Sequence, residues 1–122
     1  MHNGFPSPAS VSLALLLLAP HPASALTERS DLEDWCRGGS AAAAGRCFGY
    51  LLAAEDALAL GPVDGVQACL PADIGLGEQH RLVIQWLQAT PPTRDQTALA
   101  LVARAYASAY PCEDNREDAP AS

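Results

Sequence analysis

The chain has 122 residues, 14 acidic against 7 basic side chains, and a formal net charge of −7; every basic residue is an arginine. Binding to a phosphate backbone requires a basic face, so nucleic acid is excluded as a natural partner, and an anionic membrane surface is disfavoured for the same reason. An acidic surface suits solubility or docking on a basic protein.

Residues 1–25 are predicted to be a cleaved secretory signal peptide. The apolar run at residues 11–19 has the length of a signal-peptide core and is shorter than the roughly 20 residues of a transmembrane helix. Ala23 and Ala25 form a small-x-small cleavage motif that places the mature start at Leu26. An uncleaved N-terminal anchor is the alternative.

The mature chain is predicted to be one domain over residues 26–112, followed by a disordered acidic tail over residues 113–122. A domain of that size buries a modest core and gains stability from covalent links. Four cysteines follow the leader, at Cys36, Cys47, Cys69 and Cys112. An even set of thiols in a short exported chain predicts a disulfide framework in an oxidising compartment, the periplasm.

The first predicted helix begins at a capping box, with Ser30 as the N-cap and Glu33 three residues on, and ends at Gly38. The second covers residues 41–60, with an apolar stripe that steps by three and four positions. The stripe comprises Ala44, Cys47, Leu51, Ala54 and Leu58.

Two glycines, Gly45 and Gly49, lie inside the second predicted helix. Each costs up to ~1 kcal/mol relative to alanine at a helix interior position. Because that cost is offset where another backbone packs closely, we predict a tight helix crossing at Gly49.

Residues 61–75 are predicted to be a loop, and a third helix covers residues 76–89 until Pro91 and Pro92 end it. One row of this helix contains Leu76, His80, Val83 and Leu87, and Gln79, Leu82 and Trp86 lie beside that row.

Thr93 and Thr97 are equally suitable N-caps for a fourth predicted helix, which ends before Pro111. That helix carries Leu99, Val102, Ala105, Tyr106 and Ala109 on one side.

No segment alternates apolar and polar residues long enough to indicate a strand, so the predicted fold is all-α: a small bundle of about four helices with two disulfides. Four thiols allow three connectivities. We favour Cys36 with Cys47, because they flank the turn between the first two helices, and Cys69 with Cys112, because both lie beside prolines outside helices.

Catalytic and metal chemistry are not indicated. Zinc sites show close cysteine pairs, and here every cysteine stands alone. His80 is the only histidine of the mature chain, and Glu55 and Asp56, adjacent in a helix, point in different directions. No nucleophile elbow or phosphate loop is present. The chain is interpreted as a binding protein without cofactor, metal or enzymatic activity.

The residues around the cysteines form an ordered set of short motifs. They are Trp-Cys, Cys-x-Gly-Tyr followed by Asp-Ala, Cys-x-Pro, a helix ending before prolines, and a final Pro-Cys. The matching residues include the four cysteines and Trp35, Gly49, Tyr50, Asp56, Pro71, Trp86 and Pro111. In this order the motifs resemble the Rap/Tai family of type VI secretion immunity proteins.

The resemblance implies a helical, disulfide-bonded periplasmic protein that is often a homodimer. It implies binding to a peptidoglycan amidase toxin and stoichiometric occlusion of the toxin's active-site groove. The matching residues would be the shared framework, which leaves the partner-binding residues undefined. The alternatives are a general periplasmic stress or chaperone-like protein and an accessory subunit of an envelope complex, neither with a cognate toxin.

Overall fold

The computed structural model describes residues 26–92 and 96–113. The helices are α1 (Arg29–Arg37), α2 (Ala41–Leu60), α3 (Leu76–Ala89) and α4 (Ala98–Ala109). Within the described ranges there is no β-strand, and two isolated bridges occur in the non-helical segments. The predicted all-α bundle of four helices is confirmed. The predicted signal peptide and all but the first residue of the predicted tail lie outside the described residues.

The start of α1 differs from the prediction. The N-cap is Glu28, and its backbone N–H donates to the Asp31 carboxylate at 2.9 Å. Ser30 is therefore already inside the helix, and its prediction as the cap was wrong. Glu33, the expected partner in a Ser30 capping box, instead accepts a hydrogen bond from the Arg29 side chain one turn away.

The predicted bounds of α2 are confirmed. Its N-cap is Ser40, whose hydroxyl accepts the backbone N–H of Ala43 at 3.0 Å. Four members of the predicted stripe are buried, namely Cys47, Leu51, Ala54 and Leu58. No helix in the part of the chain that the structure describes is both long and apolar enough to span a membrane.

The predicted close crossing at Gly49 is wrong. A Cβ added to Gly49 would have no neighbouring atom within 4 Å, and the residue is exposed. The close approach occurs at Gly38, where an added Cβ would lie 2.7 Å from both the Ala43 Cβ and the Asp34 carbonyl oxygen. Glycine is needed there because the chain reverses tightly between α1 and α2.

Helix α4 has the most buried residues of the four helices and packs against the other three. Its buried residues lie on several sides and are Ala98, Ala100, Leu101, Val102, Ala103, Ala105 and Tyr106. The predicted single stripe was therefore too narrow, and it wrongly included Ala109, which is exposed. Many small side chains let neighbouring helices approach from several directions. Thr97 is the N-cap, accepting the Ala100 N–H at 3.2 Å; Thr93 lies outside the described residues.

Arg29 joins the start of α1 to the end of α3. Its Nη2 donates to the carbonyl oxygens of Leu87 at 2.7 Å and Thr90 at 2.9 Å. These carbonyls belong to the last turn of α3 and its C-cap, where they lack the amide partner four residues on that interior helix carbonyls have and where a cation is electrostatically favourable. The contact fixes the end of one helix by a side chain from another.

Candidate binding surfaces

The first two cysteines join α1 to α2 in the protein interior. The Cys36–Cys47 disulfide is present with a Cα–Cα distance of 4.9 Å, which confirms the predicted pair, and both residues are buried. Beside it, the rings of Trp35 and Tyr50 lie with centroids 5.8 Å apart. Burial raises the pKa of Tyr50 above its ordinary value. The structure thus brings four of the matching residues into one mostly buried cluster.

His80 completes this cluster from α3. Its Nε2 donates to the carbonyl oxygen of Cys36 at 2.7 Å, and its ring meets that of Phe48 edge-on, with centroids 5.6 Å apart. The imidazole is half-buried, and it makes both its hydrogen bond and its ring contact inside the protein. It holds α3 against α1 and α2, as expected of a packing histidine.

A buried polar network connects α2, α3 and α4. The Tyr106 hydroxyl donates to the Gln79 Oε1 at 2.7 Å, and the Gln79 Nε2 donates to the Glu55 carboxylate at 3.0 Å. Gln79 is 1% exposed and Tyr106 is fully buried. Burial, with the Glu55 charge as a second cause, raises the pKa of Tyr106 far above its ordinary range. The phenol therefore remains neutral, and the network holds helices together.

The second disulfide lies at the edge of the bundle. Cys69 and Cys112 are joined with a Cα–Cα distance of 5.0 Å, which confirms the second predicted pair. Cys112 is buried, while Cys69 is exposed. The neighbouring Ala68 and Pro111 form an isolated antiparallel bridge. This disulfide fastens the non-helical segment 61–75 to the end of α4.

Within that segment the chain makes a tight hairpin, which we call the hairpin loop (residues 61–66). Val63 and Val66 exchange backbone hydrogen bonds of 2.8 and 2.9 Å. Asp64 and Gly65 between them have φ values of 50° and 74°. Two successive left-handed residues are typical of a type I′ turn. An Asp-Gly pair between valines is a known hairpin signal, so sequence reasoning missed this element although the signal was present.

The hairpin loop is fastened from both sides. Arg104 on α4 lies 3.3 Å from the Asp64 carboxylate. Just beyond the loop, the Gln67 Nε2 donates to the carbonyl oxygen of Leu58, in the last turn of α2, at 2.7 Å. Together with the disulfide at Cys69, these contacts hold an exposed turn in one conformation. Pro71 lies further along the segment and accepts the Ile74 N–H at 3.2 Å.

A third surface is the exposed side of α2, which we call the outer face of α2. It comprises Ala42, Gly45, Arg46, Gly49, Leu52, Ala53, Asp56 and Leu60. Leu52 is 45% and Leu60 is 92% exposed, and Arg46 and Asp56 are the only charged members. Two of the matching residues, Gly49 and Asp56, thus lie on the surface, away from either disulfide cluster.

A shallow groove of about 280 Å³ lies between α3 and α4. It is lined by Leu82, Gln85, Trp86, Ala105, Ser108 and Ala109. The lining contains no ionisable group, which makes it unsuited to acid–base chemistry. Elsewhere in residues 26–92 and 96–113, no three His, Cys, Asp or Glu side chains are placed to share a metal ion.

The family model described as Rap1a immunity proteins matches residues 28–112, a range that contains all four helices and both disulfides. The chain belongs to this family. The family resemblance inferred from the cysteine motifs is therefore confirmed. Among curated proteins and among solved structures, no match was found.

Membership in the Rap1a family gives the chain a general role. An immunity protein binds a toxin protein and inhibits it, so the family implies a binding inhibitor rather than an enzyme. Two disulfides are consistent with an exported protein, because such bonds persist in oxidising compartments.

Proposed function

We propose that this protein is a periplasmic immunity protein, exported by a cleaved signal peptide over residues 1–25. It neutralises a peptidoglycan amidase toxin of a type VI secretion system by stoichiometric binding that covers the toxin's active site. The proposal rests above all on the family match over residues 28–112. It includes the homodimer that the resemblance implies.

The hairpin loop is the element that we propose enters the toxin's groove. The segment 61–75 contains fifteen residues without a helix, and connections of that length are commonly functional. Asp64 is a non-glycine residue at positive φ, a conformation that costs energy and often marks functional sites. An inhibitor gains affinity when such a loop is already ordered before binding.

The shape and charge of the segment fit a narrow, neutral or basic groove. Pro62, Asp64 and Gly65 are exposed, and the turn at Asp64 and Gly65 presents little side-chain bulk. Asp64 and Asp73 are carboxylates, and the segment has no basic residue. Complementary charge would orient the partner and speed association.

Co-expression tests this proposal. The full chain is expressed with each peptidoglycan amidase encoded beside it, with the toxin directed to the periplasm, and lysis is followed. We expect the wild type to prevent lysis and to form a stoichiometric complex. If lysis proceeds unchanged against every neighbouring amidase, the immunity role is wrong.

Variants of the hairpin loop test its part in binding separately. Asp64→Arg should weaken toxin binding at least about tenfold, a loss of ~1.4 kcal/mol, because it places a bulky cation at the turn. Asp64→Asn keeps a residue that tolerates the left-handed turn while it removes the carboxylate charge and, with it, the ion pair to Arg104. Asp34→Arg makes the same change at an exposed position of α1 and should leave binding intact. Full protection by Asp64→Arg would show that another surface covers the toxin.

A further inference from the structure

The outer face of α2 is an exposed and largely apolar helix surface. Helix α2 has 20 residues, so the face extends for ~30 Å. An exposed helix face normally carries charged and polar residues. Here Leu52 and Leu60 stand exposed among alanines and glycines, with only two charges along the whole length.

The two glycines of this face have no role within the described residues. An added Cβ at Gly45 or Gly49 would meet no atom within 4 Å, so no neighbouring element requires glycine there. Each still lowers helix stability by ~1 kcal/mol relative to alanine. Glycine becomes useful on such a face when a second backbone approaches it closely.

The charges on the face are complementary to those of a second copy. In an antiparallel pair of identical helices related by a two-fold axis, positions at equal distances on either side of the axis lie opposite each other. With the axis at Leu51, Arg46 of one copy lies opposite Asp56 of the other, since each is five residues away. Pairing these two charges therefore fixes the register of the two helices.

The same register pairs four further residues of the face. Gly49 and Ala53 are each two residues from Leu51 and face each other across the axis. Ala42 and Leu60 are each nine residues away, so the exposed leucine of one copy covers an alanine of the other. Small residues meet at the centre, where the helices must be closest, and the ion pairs lie on either side.

We infer that α2 pairs with α2 of a second copy through the outer face, in antiparallel orientation and with Gly49 and Ala53 at the closest approach. Arg46 of each copy binds Asp56 of the other. The inference rests on the proposed homodimer and names its interface, which is separate from the hairpin loop. A contact made by one helix per subunit is small, so the dimer is expected to dissociate on dilution.

Sedimentation equilibrium of the oxidised protein tests this interface over about 1 µM to about 1 mM. The wild type should shift from monomer to dimer. Gly49→Arg should stay monomeric, and because Gly49 is exposed and a Cβ added there has no neighbouring atom within 4 Å, its melting temperature should not fall. Gly77→Arg is the matched control, since Gly77 is also exposed in a helix and has open space around its Cβ. It should dimerise like the wild type.

Charge reversal tests the orientation. Arg46→Asp and Asp56→Arg should each weaken dimerisation about tenfold or more, and the double variant should recover affinity because both pairs are restored with reversed sign. If the double variant does not recover, the antiparallel register is wrong. A wild type that stays monomeric at every concentration refutes both the homodimer and the interface. A Gly49→Arg protein that still dimerises refutes the interface alone, and in neither case is toxin protection affected.

Discussion

The two disulfides lie in regions of opposite character. Cys36–Cys47 is buried between α1 and α2, where aromatic contacts and His80 already hold the helices together. Cys69–Cys112 has one exposed cysteine and joins a non-helical segment to the end of α4. The buried bond reinforces a contact between α1 and α2 that the aromatic rings and His80 also make. The exposed bond holds a non-helical segment whose other attachments include hydrogen bonds and the Arg104–Asp64 ion pair, and that segment contains the hairpin loop.

Removal of each disulfide in turn should reveal the largest difference between the two regions, in the free energy of unfolding and in amide exchange. The double variant Cys69→Ala with Cys112→Ala should lower the free energy of unfolding by ~4 kcal/mol, because this bond closes a loop of 43 residues. It should also speed amide exchange throughout residues 61–75. Denaturant unfolding and hydrogen exchange by mass spectrometry provide the two measurements.

The matched variant is Cys36→Ala with Cys47→Ala. Its bond spans 11 residues, so we expect a loss of ~3 kcal/mol with little change of exchange in residues 61–75. Equal exchange in that segment for both variants would contradict the distinction between the two regions.

Loss of a hydrogen bond from the network of Tyr106, Gln79 and Glu55 should have the next largest effect on stability. Tyr106→Phe removes the donor to the buried Gln79 Oε1, so the free energy of unfolding should fall by ~2 kcal/mol. Tyr110→Phe, at a half-buried tyrosine, serves as the control and should change stability little. Because the network anchors α2 and α3, toxin binding by the folded variant should remain normal. A Tyr106→Phe protein as stable as the wild type would show that the network adds nothing to the bundle.

Arg29→Met tests the link between α1 and α3. Loss of the two charge-assisted hydrogen bonds to Leu87 and Thr90 should cost ~1–2 kcal/mol, measured by urea denaturation. Arg37→Met, at an exposed arginine of the same helix, should cost much less. If the two variants are equally stable, the interhelix contact does not contribute as proposed.

The smallest expected effect is a loss of folding stability at alkaline pH that depends on Tyr106. The pKa of Tyr106 is raised in the folded protein, so the folded state keeps a proton that the unfolded state loses above its ordinary value of 10. Stability from this group is complete below pH ~10 and falls as the pH rises further, by up to ~1.4 kcal/mol per pH unit. Unfolding curves of Tyr106→Phe should lack this contribution. An identical pH dependence in the two proteins would contradict it.

Much of the framework was predictable because its determinants are local. The bounds of α2 follow from Ser40 at one end and Gly61 at the other, and proline limits α3. The disulfide pairs followed from helix ends brought together by a short turn and from cysteines in extended segments. The Asp64–Gly65 hairpin was equally local and could have been identified from the dipeptide.

The sequence predictions were wrong where contacts between residues far apart in the chain determine the local structure. Ser30 has a good capping pattern, but Glu28 lies two residues earlier and Glu33 is held by Arg29. A glycine inside a helix does not reveal which element packs against it, so the predicted close crossing at Gly49 was wrong and the close approach lies at Gly38. Gln79 was placed beside the apolar row of α3, and its partner Tyr106 is 27 residues away, so sequence could not pair them.

The most direct test of the account is amide hydrogen exchange of the protein alone and bound to its cognate amidase. We predict that binding slows exchange most strongly in residues 61–75, around Asp64 and Gly65, while the middle of α2 changes little. Slowing confined to α2 or to the α3–α4 groove, with residues 61–75 unchanged, would contradict the claim that the disulfide-held hairpin loop covers the toxin.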